Sequence, residues 1–328
     1  MARSETIDMT REVIVEGVKP NRTPLVGIVL VNYNSFSDIV RVVESVQAST
    51  YEHFQIIIVD NKSPDGSGER LRTHFINSSV EVLLNPENAG FAAGNNVGIC
   101  YAKSLGSSFV WLLNADTTID KNALLALVEA QASYPSAGAF GSKIMSGESN
   151  IIWSAGGELS LEARSVSMRG YGEEDTRQYD TVERCGYLPG CSIFASVSVF
   201  ESLGYLPERY FMYFEETDWC LSISKAGKAL LYIPSSKIFH HSNDEKMQKP
   251  FTVYYYNRNN RLFWFQYATG GRKAKIWLKA LVRELPQAAK AFLFAPTKED
   301  RAIFKAHFLS CVDFLFGKSG KKRSFSFR

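Results

Sequence analysis

The run Glu215-Glu216-Thr217-Asp218 sets three carboxylates within four residues, flanked by Tyr213, Phe214 and Trp219. Like charges this close, walled by aromatic rings, raise a carboxyl pKa toward the value a general base needs near neutral pH. The same run can instead open a helix, its acids meeting the positive end of the helix dipole. A second segment, residues 88–98 (NAGFAAGNNVG), surrounds Asn88, Phe91, Asn95 and Asn96 with alanines and glycines. Small residues there let backbone approach a ligand, and free N–H groups at a helix start favour an anionic phosphate. They also serve tight helix-to-sheet packing, a reading that leaves the asparagines without a task. Gly90, Gly94 and Gly98, spaced by four, fit neither the Walker phosphate loop nor the dinucleotide glycine pattern.

These residues need a scaffold, and the hydrophobic pattern describes one. Residues 25–31 (LVGIVLV) and 55–59 (QIIIV) are the short β-branched runs expected of strands buried on both faces. Between them, residues 37–48 carry Ile39, Val40, Val43 and Val46 on one helical stripe, with Ser37 as the expected N-cap. Strand, helix, strand, helix and strand then follow over 80–84, 92–104, 109–113, 121–133 and 137–144. Such alternation predicts a parallel, doubly wound α/β sheet, in which ligands bind at the carboxyl ends of the strands. Those ends are polar: Asn32-Tyr33-Asn34-Ser35, Asp60-Asn61-Lys62-Ser63 and Asn114-Ala115-Asp116-Thr117. Beyond residue 150 the alternation stops. Residues 151–180 read as antiparallel excursions or a flexible acceptor-side region, and from Tyr254 onward the pattern turns helical.

Six ordered pieces, VNYNS (31–35), VDNKS (59–63), NAGFAAGNNVG (88–98), LLNADT (112–117), YFMYFEETDWCLS (210–222) and IFHH (238–241), resemble the family 2 inverting glycosyltransferases. The likeness is to the rhamnosyltransferase-like branch in particular and runs from about residue 25 to 265. It implies a GT-A fold, with a mostly parallel Rossmann-like sheet and here a helical C-terminal extension. It also implies a nucleotide-diphosphate sugar donor, best matched by dTDP-rhamnose, and a lipid-linked or growing oligosaccharide acceptor. By this resemblance Asn32, Asn34, Asp60, Asn88, Gly90, Phe91, Asn95, Asn114 and Asp116 line the donor site. Asp60 can accept hydrogen bonds from a base imide or a ribose hydroxyl; it can also cap the turn made with Asn61 and Ser63, and Asn32 and Asn34 can be turn residues. Asn114-Ala115-Asp116 stands where the family has Asp-x-Asp, whose oxygens bind a divalent cation, Mg or Mn, on the donor phosphates. Asn replaces the first acid, which leaves Asp116 as the one anionic ligand of the motif. His240 or His241 supplies a further ligand by the same resemblance, and either can equally be a structural histidine. Alignment with the family makes Glu216 the base, with Glu215 and Asp218 as alternatives. Cys191, after Tyr187-Leu188-Pro189-Gly190, reads as small-residue packing rather than a nucleophile.

Composition narrows the remaining choices. Five scattered cysteines with no CxxC pair argue against a disulfide framework and a zinc cluster and fit a reducing, cytoplasmic setting. Residues 1–22 mix charges without an apolar run of signal-peptide length and read as a flexible polar arm. Residues 23–250 read as the catalytic domain, its nucleotide-sugar half over 23–145 and its acceptor half over 146–250. Residues 251–328 hold 16 Lys and Arg against 4 Asp and Glu, a difference of +12, within a chain of net charge +3. This basic helical region suggests an anionic membrane, contacted from the inner face of the cell membrane by a surface-lying helix. A nucleic-acid partner is not expected. An oxidoreductase would need a glycine fingerprint after strand one, where the chain has Asn-Tyr-Asn. A non-catalytic glycan- or lipid-binding scaffold would explain the tail, but would not need Asp60, Asp116, Glu216 and His240 together.

Overall fold

Alternate residues along the apolar runs face opposite ways, and the molecule uses both faces. In the computed structural model of the protein, which describes residues 23–241 and 249–322, β1 (Val26–Asn32) sends Val26, Ile28 and Leu30 to one side and Val29 to the other. Its neighbours β2 (Phe54–Asp60) and β4 (Phe109–Leu113) run parallel to it in register, and β3 (Glu81–Leu84) extends the parallel set beyond β2. One face is covered by α1 (Phe36–Gln47), α2 (Ser67–His74) and α4 (Ala123–Ser133). The other carries α3 (Phe91–Ser104), α5 (Val197–Leu203) and α6 (Glu215–Lys225). The result is a three-layer α/β body with a core on each side of the sheet.

Past β4 the sheet is mixed. β5 (Thr117–Ile119) turns back on β12 (Leu230–His240). β6 (Ala139–Ser146) and β12 are parallel, and β11 (Ser192–Ser196) runs antiparallel between β4 and β6. The sheet order is β10-β12-β6-β11-β4-β1-β2-β3, where β10 (Glu183–Cys185) is an edge. The expected antiparallel excursions are β7 (Ile152–Ser154), paired with β6, and the hairpin of β8 (Gly157–Ser160) with β9 (Ser165–Met168). Two details depart from the sequence reading. Helix α1 starts at Phe36 with Ser35, not Ser37, at its N-cap, because the Asn32 Oδ1 accepts from the Ser35 N–H at 3.1 Å. Helix α2 escapes the sequence pattern, since SGERLRTH offers only Leu71 as a buried apolar side chain.

The basic C-terminal part is helical, as α7 (Pro250–Tyr267), α8 (Gly271–Lys279), a π turn over Ala280–Glu284, α9 (Leu285–Leu293) and α10 (Lys298–Leu315). The change of composition near residue 250 coincides with the start of α7. That helix nevertheless buries Phe263 and Trp264 with Tyr210, Phe214 and Leu221, and Tyr254 and Tyr255 with Phe211, so it shares a core with the α/β body. No helix among the described residues is long and apolar enough to cross a membrane. The arm expected over residues 1–22 lies outside the described residues.

Candidate active site

The polar strand ends form one cross-linked rim. At the end of β1, Asn32 donates Nδ2 to Asp60 Oδ1 (2.6 Å), Ser63 Oγ (3.1 Å) and Ser67 Oγ (2.9 Å). At the end of β2, Asp60 also accepts from the Ser63 hydroxyl (2.5 Å) and N–H (3.1 Å). Asp60 thus caps the turn that follows it, while Asn61 turns away to the Gly90 carbonyl (2.9 Å) and Asn85 (2.8 Å). Asn34 stands exposed in a left-handed conformation, its N–H donating to Ser63 Oγ at 3.0 Å. Asn88 accepts the Gly90 N–H at 3.0 Å and so bends the chain into α3. Gly90 is left-handed at φ 95°, and a Cβ there would meet the Phe211 carbonyl at 2.2 Å. Gly98 is different: it packs on Val29 of β1, which is the tight helix-to-sheet contact rather than a ligand surface. The asparagines of α3 also divide. Asn96 clamps Leu206 and Glu208, whereas Asn95 is buried with Nδ2 on its own helix (Phe91 carbonyl, 3.0 Å) and Oδ1 without a partner.

The second cluster forms where β12 returns along β5. Antiparallel pairing sets His240 opposite Thr117, and His240 Nε2 lies 3.3 Å from Asp116 Oδ1, with Trp153 packed edge-on against the imidazole. The His241 N–H donates to the Asp116 carbonyl at 2.8 Å, but its side chain turns away from the pair. Its Nε2 meets Thr118 Oγ1 at 2.9 Å, and burial, then the charge of Arg41, pushes its pKa below the ordinary histidine value. Asn114 Oδ1 and His240 Nδ1 are both buried without hydrogen-bond partners. Among the described residues no three His, Cys, Asp or Glu gather into a cation cage. A hard divalent cation nevertheless fits Asp116, His240 and the orphaned Asn114 oxygen as an open set that water or phosphate oxygens would complete.

The third cluster is the start of α6. Glu216 is half-buried and accepts from the Tyr187 hydroxyl at 2.8 Å, and its carboxyl pKa is pushed up by burial. Glu215 is 3% exposed and its Oε2 has no partner; burial first, then the charge of Glu216, push its carboxyl well above the usual range. Asp218 faces elsewhere, fixed by Arg209 and the Tyr267 hydroxyl, so the structure does not bring it to the Glu216 carboxyl. The Gly190-Cys191 turn joins this cluster to the second. A Cβ at Gly190 would stand 3.3 Å from Glu216 Cγ, and the Cys191 carbonyl accepts from the Asn114 N–H at 3.3 Å. Burial pushes the Cys191 thiol far up, which keeps it inert.

The chain reaching α6 is strained. Phe211, Tyr213 and Phe214 all have positive φ, at 69°, 70° and 78°. Each such residue costs about 1–3 kcal/mol and persists only where its surroundings hold it. Sequence reasoning missed several residues that support these clusters. Tyr187 and Trp153 lie far along the chain from Glu216 and His240, and no spacing announces them. The polar run Asn257-Arg258-Asn259-Asn260-Arg261, set among aromatics in α7, was a readable signal: Arg258 and Asn259 are buried and bonded to this strained segment.

The chain is similar to known glycosyltransferases in sequence and in fold. An N-acetylglucosaminyl-diphospho-decaprenol L-rhamnosyltransferase of Mycobacterium tuberculosis is 27% identical over 239 residues, 67% of this chain and 76% of that protein. The low-salt glycan biosynthesis hexosyltransferase Agl10 of Haloferax volcanii is 26% identical over 195 residues, 59% of this chain and 60% of the relative. Among solved structures, GalNAc-T7 with UDP, GalNAc and Mn2+ superposes with a TM-score of 0.61 at 18% identity, covering 90% of this chain and 57% of that one. The mannosyltransferase PcManGT of Pyrobaculum calidifontis, in complex with GDP-Man and Mn2+, gives 0.56 at 13%, covering 94% and 92%. Both carry the GT-A fold seen here. The sequence also matches the description "Glycosyl transferase family 2" over residues 27–199, more than half of its 328, and with the three clusters on one rim of a GT-A sheet the chain belongs to glycosyl transferase family 2.

Proposed function

We propose that this glycosyltransferase moves L-rhamnose from dTDP-rhamnose onto a lipid-linked or growing surface glycan, with inversion, using Glu216 as the base. The observation that carries the reading is the Gly190-Cys191 turn, which joins a half-buried carboxyl of raised pKa on one side to Asn114 and the Asp116–His240 pair on the other. Inversion in a single displacement needs one base facing the acceptor and a stabilised leaving group behind the sugar. Glu216, oriented by the Tyr187 hydroxyl, takes the acceptor proton as the oxygen attacks the anomeric carbon. The strand-end rim of Asn32, Asn34, Asp60, Asn88, Gly90, Phe91 and Asn95 holds the nucleoside diphosphate, with the start of α3 toward its phosphates. A divalent cation on Asp116 and His240, with Asn114 beside them, would neutralise charge on the departing nucleoside diphosphate. The rhamnose assignment leans on the mycobacterial relative, whose name also supplies the acceptor class.

The C-terminal helices support a peripheral membrane setting, on the cytoplasmic side. Trp277, Leu281, Val282 and Phe294 stay exposed between Lys275, Lys279, Arg283 and Lys290, the makeup of a helix that lies in an anionic interface. Cosedimentation with phosphatidylglycerol vesicles, absent with phosphatidylcholine alone, is the expected result, and indifference to lipid charge would remove this part of the proposal.

Thermal unfolding with a panel of nucleoside diphosphates and their sugars, with and without Mn, tests the whole. A ligand that binds only the folded state raises its apparent stability, so dTDP-rhamnose at about 100 times its Kd should raise Tm by about 5 °C, more with Mn than without. Turnover with an N-acetylglucosaminyl-diphospho-prenol, followed by the anomeric configuration of the product, then checks acceptor and inversion. No shift with any nucleotide would favour a non-catalytic glycan-binding scaffold on the same fold.

A further inference from the structure

Two neighbours on the buried face of α7 direct most of their donors at backbone. Asn259 donates Nδ2 to the carbonyls of Tyr210 (2.8 Å), Met212 (2.8 Å) and Tyr213 (3.0 Å). Arg258 donates Nη2 to the Tyr210 carbonyl (3.0 Å), Nη1 to the Gly320 carbonyl (2.8 Å) and the Tyr254 hydroxyl (3.3 Å), and Nε to Asn259 Oδ1 (3.0 Å). Their exposures are 1% for Arg258 and 0% for Asn259. Among the described residues no carboxylate pairs with this guanidinium directly; the rings of Tyr254 and Tyr255 lie 5.2 and 4.9 Å from it, and the Tyr254 hydroxyl passes on to Asp313 at 2.7 Å. Burying a charge in this way is unfavourable unless its donors are used, and apolar residues such as Phe263 meet the packing need of the same helix face at no such cost.

The carbonyls these two side chains hold belong to the strained segment that leads into α6. Without restraint, Phe211, Tyr213 and Phe214 would relax to negative φ and swing the first turn of α6, with Glu215 and Glu216, to a new direction. The opposite side of the segment is tied to the start of α3, where the Phe91 N–H donates to the Phe211 carbonyl at 2.8 Å. We propose that Arg258 and Asn259 are positioning residues, which act through the backbone of residues 210–213 to set where the Glu216 carboxyl stands. The inference rests on Glu216 as the base of the transfer.

Asn259→Asp tests it with almost no change of shape. The ionised side chain has no hydrogen to give and turns its oxygens toward three carbonyls. In the folded variant, release of dTDP from dTDP-rhamnose with Mn and an N-acetylglucosaminyl-diphospho-prenol should fall about 30-fold or more in kcat, with the donor KM changed less than about threefold. The acid limb of the kcat profile should move, and hydrogen exchange at the amides of 211–216 should quicken at least about tenfold while β1 and β4 keep theirs. Arg258→Lys keeps the charge but loses the planar fork, and should show the same pattern with a fall of about 5-fold. It decides the matter if Asn259→Asp does not fold. Wild-type exchange at 211–216 in the folded variants, or a loss expressed wholly in donor KM, overturns the positioning role. A wild-type protein that turns over no nucleotide sugar instead defeats the base assignment, and the exchange measurement then judges the α7 restraint alone.

Discussion

Asp60 and the Glu215–Glu216 pair are acids at the same rim, handled in opposite ways. Asp60 accepts from three donors, Asn32, the Ser63 hydroxyl and the Ser63 N–H, so its charge is matched before any ligand arrives. Glu216 has the Tyr187 hydroxyl and little else from distant parts of the chain, and Glu215 keeps an oxygen with no partner at all. Hydrogen bonds to a carboxylate favour its charged form, and burial without them favours the protonated one. The difference separates an acid built into the rim from a pair left short of partners: Asp60 is held by its hydrogen bonds, while burial at the start of α6 pushes both carboxyl pKa values up.

The sharpest way to break this contrast is Glu216→Gln. Removing a general base lowers kcat by about 100- to 10,000-fold, while the shape of the half-buried site survives. Tm should change by less than about 2 °C, and donor-induced stabilisation should persist. The wild-type kcat should also fall as pH drops through a value above the ordinary carboxylate range, because the raised pKa protonates the base early. The residual activity of the variant should lack that limb. A folded Glu216→Gln enzyme with wild-type turnover would end the assignment. Asp60→Ala should behave in the reverse sense. It removes the acceptor of the Ser63 hydroxyl and N–H and one of the three acceptors of the Asn32 amide, at about 1–3 kcal/mol for each buried group left unsatisfied. Tm should fall by about 5 °C and the donor Kd should rise about tenfold, read by thermal unfolding and a nucleotide titration; unchanged stability would show that the rim is not built on this acid.

How much of this contrast the sequence displays follows from where the partners lie. The β1-α1-β2 unit and the polar strand ends are legible because a β-branched run buried on both faces and an amphipathic helix carry their own periodicity. Asn32, Asp60 and Ser63 follow their strands directly, so local order suffices to bring them together. The Asp116–His240 pair is harder, because 124 positions separate residues joined only by the β5–β12 pairing. The family motifs supplied that link without choosing between His240 and His241; in the structure the His240 side chain faces Asp116 and the His241 side chain meets Thr118. The glycines of 88–98 read alike in one dimension, yet Gly90 faces Phe211 at the rim and Gly98 faces Val29 in the core. Tyr187 stays invisible as a site residue because the raised carboxyl it touches exists only after the chain has folded; Arg258 and Asn259 stand out as a polar run among aromatics, but the strained backbone they hold is not written in that run.

The smallest expected effect separates the two members of the α6 pair from each other. Glu215 is more deeply buried than Glu216, and its carboxyl pKa stands well above the usual value through burial and then the neighbouring charge. A group that holds its proton more tightly in the folded protein than in the unfolded chain adds stability below the unfolded pKa, and that contribution is lost as pH rises through the folded pKa. Glu215→Gln is neutral at every pH, so it matches the protonated wild type and escapes the loss that ionisation brings. Near pH 4 and below, wild type and variant should therefore melt together. As pH rises the variant should draw ahead, by about 2–4 °C near neutrality if about 1 kcal/mol separates them. Melting curves across that range decide the point. A gap that is constant with pH would mean the carboxyl stabilises or destabilises by its shape alone, and a variant that falls behind at neutral pH would mean that Glu215, like Asp60, has its charge matched in the folded state.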